Sequence, residues 1–310
     1  MTPPPVRQGF KESINSRKKP GPRRGFIALL GAVPALTWYL VFLLGPLLGL
    51  FWMSLRDQPG ILAESTFVGL KNFKHVFGDP SFRTALLNTL VQLVFLLPVL
   101  MIASLLLAYY LHRKPRGTGI LSVVLFLPAL LSLAGRSMAF VAILAPKPFG
   151  LVNGILGALH LDFLQRAWLA DNRTALLSII GVELWSGIGF TAILLKARMA
   201  SVSREVEESA TLDGVGELGM LRYIIYPIIR DYFGVVAALQ LLWTLFTSAG
   251  DVLLLTGGGP GYASTNLAYL VYGKAFSQQD LGYATTVGVL LFAGGLAGAL
   301  SLRATFRPTY

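Results

Sequence analysis

Six apolar runs, each long enough to cross a membrane, constrain this chain more than any other feature of its sequence. They cover roughly residues 26–55, 86–111, 118–145, 174–197, 231–256 and 282–302. About 20 apolar residues in a helix span the hydrocarbon core of a bilayer. In that medium each backbone amide has to be satisfied inside its own segment, so runs of this kind fold as helices. Charged residues make up only 13% of the 310, against about 25% in soluble domains. The fold class is therefore an all-α membrane protein with six transmembrane helices. The first run is too long for the apolar core of a signal peptide. Pro34 and Pro46 within it predict kinks that neighbouring helices accommodate.

The formal net charge of +11 would suggest nucleic-acid binding in a soluble protein, but topology accounts for it here. With the N-terminus inside, the segments on that side hold seven basic residues in the tail 1–25, three in 112–117, five between 196 and 230 and two at the C-terminus. That makes 17, and the opposite segments hold 8. The positive-inside rule then places both termini in the cytosol. The expected organisation is a basic tail 1–25, a six-span domain 26–303 and a C-terminal tail 304–310, with lipid as a partner and no nucleic acid. The expected localisation is a membrane, which the chain crosses several times.

Cysteine is absent, which excludes disulfides, thiolate metal sites and cysteine nucleophiles. His75, His112 and His160 are too scattered to predict a metal centre. No nucleophile elbow, zinc-ligand spacing or nucleotide fingerprint occurs, so the chain reads as a non-enzyme with no cofactor or metal of its own. The run Gly257-Gly258-Gly259-Pro260-Gly261 lacks the Lys-Ser/Thr of a phosphate loop and reads as a turn after the fifth span. Residues 67–89 mix aromatics with turn formers, which predicts a short amphipathic helix at the outer membrane surface.

Residues 203–227 break the apolar pattern with charge, a glycine and a terminal proline. Ser203 is placed to cap a helix, and Glu205, Glu207 and Glu208 lie at its positive end. Gly214 suits a hinge, because glycine adopts left-handed backbone without steric cost. A second amphipathic piece, 217–226, is expected to end before Pro227. The loop reads as a compact, charged cytoplasmic element that a partner could grip.

The spacing in this loop resembles the EAA motif of the membrane permease subunits of binding-protein-dependent ABC importers. Glu208, Ala210, Gly214, Ile224 and Pro227 occupy that motif's positions without gaps, while Ser209 replaces an alanine and Tyr226 a leucine. The stretches 67–89, Gly150-Leu151-Val152-Asn153 and 253–264 are similar to the carbohydrate-uptake branch, and to the maltose-type and glycerol-3-phosphate-type first permease in particular. The resemblance implies a heterodimer with a second, homologous permease, two copies of a cytoplasmic ATPase and an extracytoplasmic solute-binding protein. ATP and Mg would be bound by the ATPase, not by this chain. It also implies that Glu208, Ser209, Ala210, Asp213, Gly214, Ile224 and Pro227 form the ATPase-coupling loop, and that the pathway carries a sugar or oligosaccharide.

Solute contacts in such permeases lie on the fourth to sixth spans. Candidates here are Glu183 and Trp185, then Trp243, Thr244, Thr247, Ser248 and Asp251, with Tyr283 and Thr286 as lesser ones. Thr and Ser in spans also bond their own backbone, and Trp185 and Trp243 suit packing equally well. Ionisable residues inside spans are costly and face interiors; a Glu183–Arg136 pair is one way to meet that cost. Glycerol-3-phosphate is the alternative solute, for which only Arg136 offers a buried cation. An ion-coupled secondary transporter is the alternative from another class; one intramembrane carboxylate and a structured cytosolic loop fit it poorly.

Overall fold

The computed structural model describes residues 22–60 and 64–307, and most of the basic N-terminal tail and the last three residues lie outside them. The chain divides into two units, Met1–Trp52 and Met53–Tyr310. The first contains helix α1 (Pro22–Tyr39), a π-turn (Leu40–Leu44) and most of α2 (Gly45–Ser54). The break expected at Pro46 takes the form of that π-turn, in which the Gly45 N–H reaches back five residues to the Leu40 carbonyl. A proline removes one helix donor and crowds the carbonyl four residues before it. Widening the preceding turn relieves both.

In the second unit, β1 (Arg56–Asp57) and β2 (Thr66–Phe67) form a small antiparallel pair. Helix α3 (Lys71–Gly78) follows where the short amphipathic helix was expected, and its Val76 is fully buried. Helix α4 (Pro80–His112) begins six residues before the apolar run. Asp79 caps it by accepting the Ser81 N–H at 2.8 Å, with Pro80 in the first turn. Next come α5 (Thr118–Leu130), α6 (Leu133–Ile143), α7 (Leu151–Ala158) and α8 (Ala175–Met199). Helix α9 (Arg204–Leu212) leads to α10 (Glu217–Thr247), and α11 (Ala249–Leu255), α12 (Leu267–Tyr272) and α13 (Leu281–Thr305) complete the chain.

Five stretches among the described residues are long and apolar enough to cross a membrane: Gly31–Ser54, α4, α8, α10 and α13. The expected third span, 118–145, is not one straight helix. It breaks into α5 and α6, which meet at 98°; the pair supplies the sixth crossing if it is counted as one. Leu131 is extended at the break, and Ser132 restarts the chain by accepting the Gly135 N–H on its hydroxyl. The fifth span also differs, since it starts far earlier than 231 and ends at Thr247, with α11 as a separate short helix.

The largest core cluster joins α4, α8, the 203–227 loop and α10 through Leu96, Leu100, Leu195, Met199, Ile225 and Ile229. A second, around Val76, Phe82, Leu245, Tyr283 and Val287, binds α3, α4, α10 and α13. Ile179, Val182, Val252 and Leu255 tie α8 to α11. Helices α8 and α5 touch backbone to backbone at Gly189, where an added Cβ would lie 1.7 Å from the Leu125 carbonyl oxygen. Small residues permit such approaches between membrane helices.

Candidate functional site: a polar cavity and a hinged loop

A cavity of about 160 Å³ sits between α4, α5, α6, α8, α10 and α11. It gathers Glu183, Trp243, Thr244, Thr247, Ser248 and Asp251, six of the seven principal solute candidates. Trp185 is not among them: it is half-exposed and packs edge-on against Phe140 at 5.1 Å. Tyr283 and Thr286 also lie elsewhere. The Tyr283 hydroxyl donates to Asp79 at 2.8 Å, and Thr286 bonds the Gly282 carbonyl one turn back at 2.7 Å.

The pair suggested between Glu183 and Arg136 does not form. Arg136 instead donates to both carboxylate oxygens of Asp251, at 2.7 and 2.6 Å. The 98° break is the reason, because it swings α6 away from the line of α5 and lays Arg136 against α11. Glu183 accepts two hydrogen bonds from the Gln92 side-chain amide, at 2.9 and 2.8 Å. The Gln92 oxygen accepts from Asn266, which also donates to the Ser248 hydroxyl at 2.8 Å. A buried chain Glu183–Gln92–Asn266–Ser248 thus stitches four separate elements together, and its members are all under a tenth exposed. In apolar surroundings each such group costs free energy unless it is partnered.

Gln92, Gln240, Ser186 and Asn266 were not singled out from the sequence. An amide inside an apolar run is the available signal, and Gln92 and Gln240 both carry it. Gln240 donates to the Thr191 hydroxyl at 2.9 Å while also lining the cavity. Two buried polar atoms among the described residues, Arg136 Nε and Ser137 Oγ, have no hydrogen-bond partner. The first belongs to a residue on the cavity wall.

The loop has the expected hinge. Helix α9 ends at Leu212, and Gly214 stands at φ +80°, the left-handed conformation that glycine accepts most easily. Ser203 holds the N-cap position, but only its carbonyl, not its hydroxyl, bonds the first turn. The second piece does not end before Pro227. It runs on through a π-turn, Met220–Ile225, into α10, with the Tyr226 N–H reaching back to Leu221. This repeats the device seen at Pro46 and makes the loop's second arm the start of a span.

Glu208, Ser209, Asp213, Gly214 and Pro227 are exposed, whereas Ala210 is buried and Ile224 packs against the core beneath. Tyr226, the departure from leucine, stacks edge-on against Phe233 at 5.5 Å, so the larger ring is accommodated by packing. Leu212 and Leu218 flank the hinge at 88% and 74% exposure. These two apolar tips were not foreseen.

Among the described residues, the candidate crossings, the broken pair, the polar cavity of the second unit and the ordered loop are features that suit a membrane transport subunit. The chain is 34% identical over 276 residues to the probable ABC transporter permease protein YurN of Bacillus subtilis, covering 88% of this chain and 94% of that one. It is 30% identical over 286 residues to the diacetylchitobiose uptake system permease protein NgcF of Streptomyces coelicolor, covering 86% and 78%. Among solved structures, a bacterial ABC transporter involved in the import of the acidic polysaccharide alginate superposes with a TM-score of 0.79. That match spans 93% of this chain and 97% of the other at 23% identity, and it establishes the fold. No family model matches. This chain belongs to the permease subunits of ABC transporters and is a multi-pass membrane protein.

Proposed function

We propose that this permease imports a neutral sugar or oligosaccharide, delivered by an extracytoplasmic binding protein and driven by a separate ATPase. The cavity lining carries the reading. It sets hydroxyls of Thr244, Thr247 and Ser248, the Gln240 amide and the Glu183 carboxylate around an apolar ring, Trp243. Sugars present hydroxyls on their edges and C–H on their faces, and this lining offers partners to both. NgcF, whose name gives diacetylchitobiose uptake, supports the same solute class. A phosphorylated polyol fits less well, because the charge of Arg136 is already balanced by the Asp251 carboxylate.

The partners follow from the same reading. A second permease completes the pathway, and two ATPase copies receive the loops. With both termini and the 203–227 loop in the cytosol, Glu208, Ser209, Asp213 and the exposed Leu212 and Leu218 meet an ATPase cleft. Ala210 and Ile224 hold the loop's shape beneath them, Gly214 makes its turn, and Pro227 marks where the second arm becomes a span.

Reconstitution with the partner permease, ATPase and binding protein tests the proposal. ATP-dependent uptake of a neutral saccharide is expected, and Trp243→Ala lowers it without loss of the assembled complex. Uptake without any ATPase, or uptake of a polyol phosphate in preference to sugars, overturns it.

A further inference from the structure

One side chain outside the EAA-like motif touches both arms of the hinged loop. Arg113 is the residue that closes the C-terminal end of α4. Its Nη2 donates to Glu217 at 2.8 Å, just after the hinge, and its Nη1 reaches Glu207 at 3.4 Å, just before it. The neighbours reinforce each contact. His112 bonds the other oxygen of Glu207 at 2.8 Å, and the Tyr109 hydroxyl donates to the other oxygen of Glu217. The last turn of α4 therefore grips both carboxylates, each through two separate side chains. Ala210, Met220 and Leu221 pack into the same buried cluster as Ala108 and Tyr109, so the grip has an apolar floor.

The stability from these pairs is small. Arg113 is 37% exposed and Glu217 65%, and exposed ion pairs contribute on the order of 0–1 kcal/mol. Connectivity is what sets the arrangement apart. The two arms meet at the left-handed turn of Gly214 and share the buried cluster beneath them. Arg113 adds a polar tie to both from outside the loop, on a span that precedes it by about ninety residues in sequence.

We infer that Arg113 is a positioning residue for energy coupling: it clamps the two arms to each other and to α4, so that the loop and α4 move as one body when the ATPase moves. The inference rests on the loop being the ATPase contact. Movement at the loop then reaches the cavity by two routes. One is α10, which is continuous with the loop's second arm. The other is α4, which carries Leu96 and Leu100 of the cavity wall and Gln92, the partner of Glu183.

The test uses the full complex in proteoliposomes and reads solute taken up per ATP hydrolysed. Fewer intact complexes would lower uptake and hydrolysis together and leave that ratio unchanged, so a purely structural role does not move it. Arg113→Ala is expected to lower the ratio roughly two- to thirtyfold, the range over which residues in coupling networks act. Arg113→Lys, which keeps the charge but loses the fork, recovers part of it. Arg113→Glu combined with Glu217→Arg re-forms the contact to the second arm and raises the ratio above that of Arg113→Glu alone. An unchanged ratio in Arg113→Ala overturns the inference, as does a double variant no better than Arg113→Glu. If Arg113→Ala fails to assemble, the double variant decides alone. Glu208→Lys separates the premise from the inference: if it leaves ATPase association and uptake intact, the loop assignment itself falls. If it abolishes them while Arg113→Ala is silent, only the clamp falls.

Discussion

Asp251 and Arg136 illustrate how a buried pair acts at the scale of single residues. Both lie inside the protein and bond through two oxygens at 2.7 and 2.6 Å. Removing one partner strands the other, which costs about 3–5 kcal/mol. Asp251→Ala is therefore expected to lower the thermal midpoint of the detergent-solubilised protein sharply, whereas Arg136→Met with Asp251→Leu recovers most of the loss. A midpoint for the double variant below that of Asp251→Ala would contradict this. Asp79 behaves differently because it titrates at the surface. Burial opposes its ionisation, but the Tyr283 hydroxyl, the Ser81 N–H and the Lys274 charge outweigh it and hold the carboxyl below its ordinary 3.8. A depressed carboxyl stabilises the fold above that value and ceases to do so as pH falls through its native one. Wild type should thus exceed Asp79→Asn in thermal midpoint near neutrality, with the gap closing in acid below about 3.8. A gap that is flat with pH would contradict the linkage. Glu183 and Asp251 stood out in the sequence because carboxylates are rare inside apolar runs. Their partners did not, since partner choice depends on the bend between α5 and α6, which leaves no clear mark beyond Pro128 and Ser132.

Among the elements, the runs that became α4, α8 and α13 were legible because hydrophobic length alone specifies a crossing. Their ends were less so, as capping by Asp79 and the continuation through Pro227 extend helices past the apolar stretch. The hinge was legible for a local reason, namely glycine between two amphipathic pieces. Gly214→Ala keeps the loop's composition but places a Cβ in left-handed backbone, at about 1–2 kcal/mol. Co-purification of the ATPase with the permease should weaken accordingly, while the thermal midpoint of the isolated permease changes little. At Gly189, by contrast, any side chain meets the Leu125 carbonyl. Gly189→Val is expected to separate α5 from α8 and lower that midpoint, and a midpoint equal to wild type would show that the helices shift at no cost.

The whole molecule adds orientation, which the basic residues predict and direct labelling can test. The chain has no cysteine, so single introduced cysteines report alone. Tyr262→Cys, at the turn after α11, should react with a membrane-impermeant maleimide in intact cells, and Leu212→Cys only after lysis. Both sites are exposed, at 45% and 88%, and the opposite pattern would invert the topology. The buried polar contacts also have an order in time. Arg136 and Asp251 are 115 residues apart, and Gln92 and Asn266 are 174 apart. Ribosomes make the first member of each pair long before the second, so α4 and α6 enter the bilayer carrying groups whose native partners have not yet been synthesised. Nascent chains halted after α10 lack Asp251 and Asn266 altogether, which makes the short stretch 248–266 the point at which those earlier buried groups gain their partners.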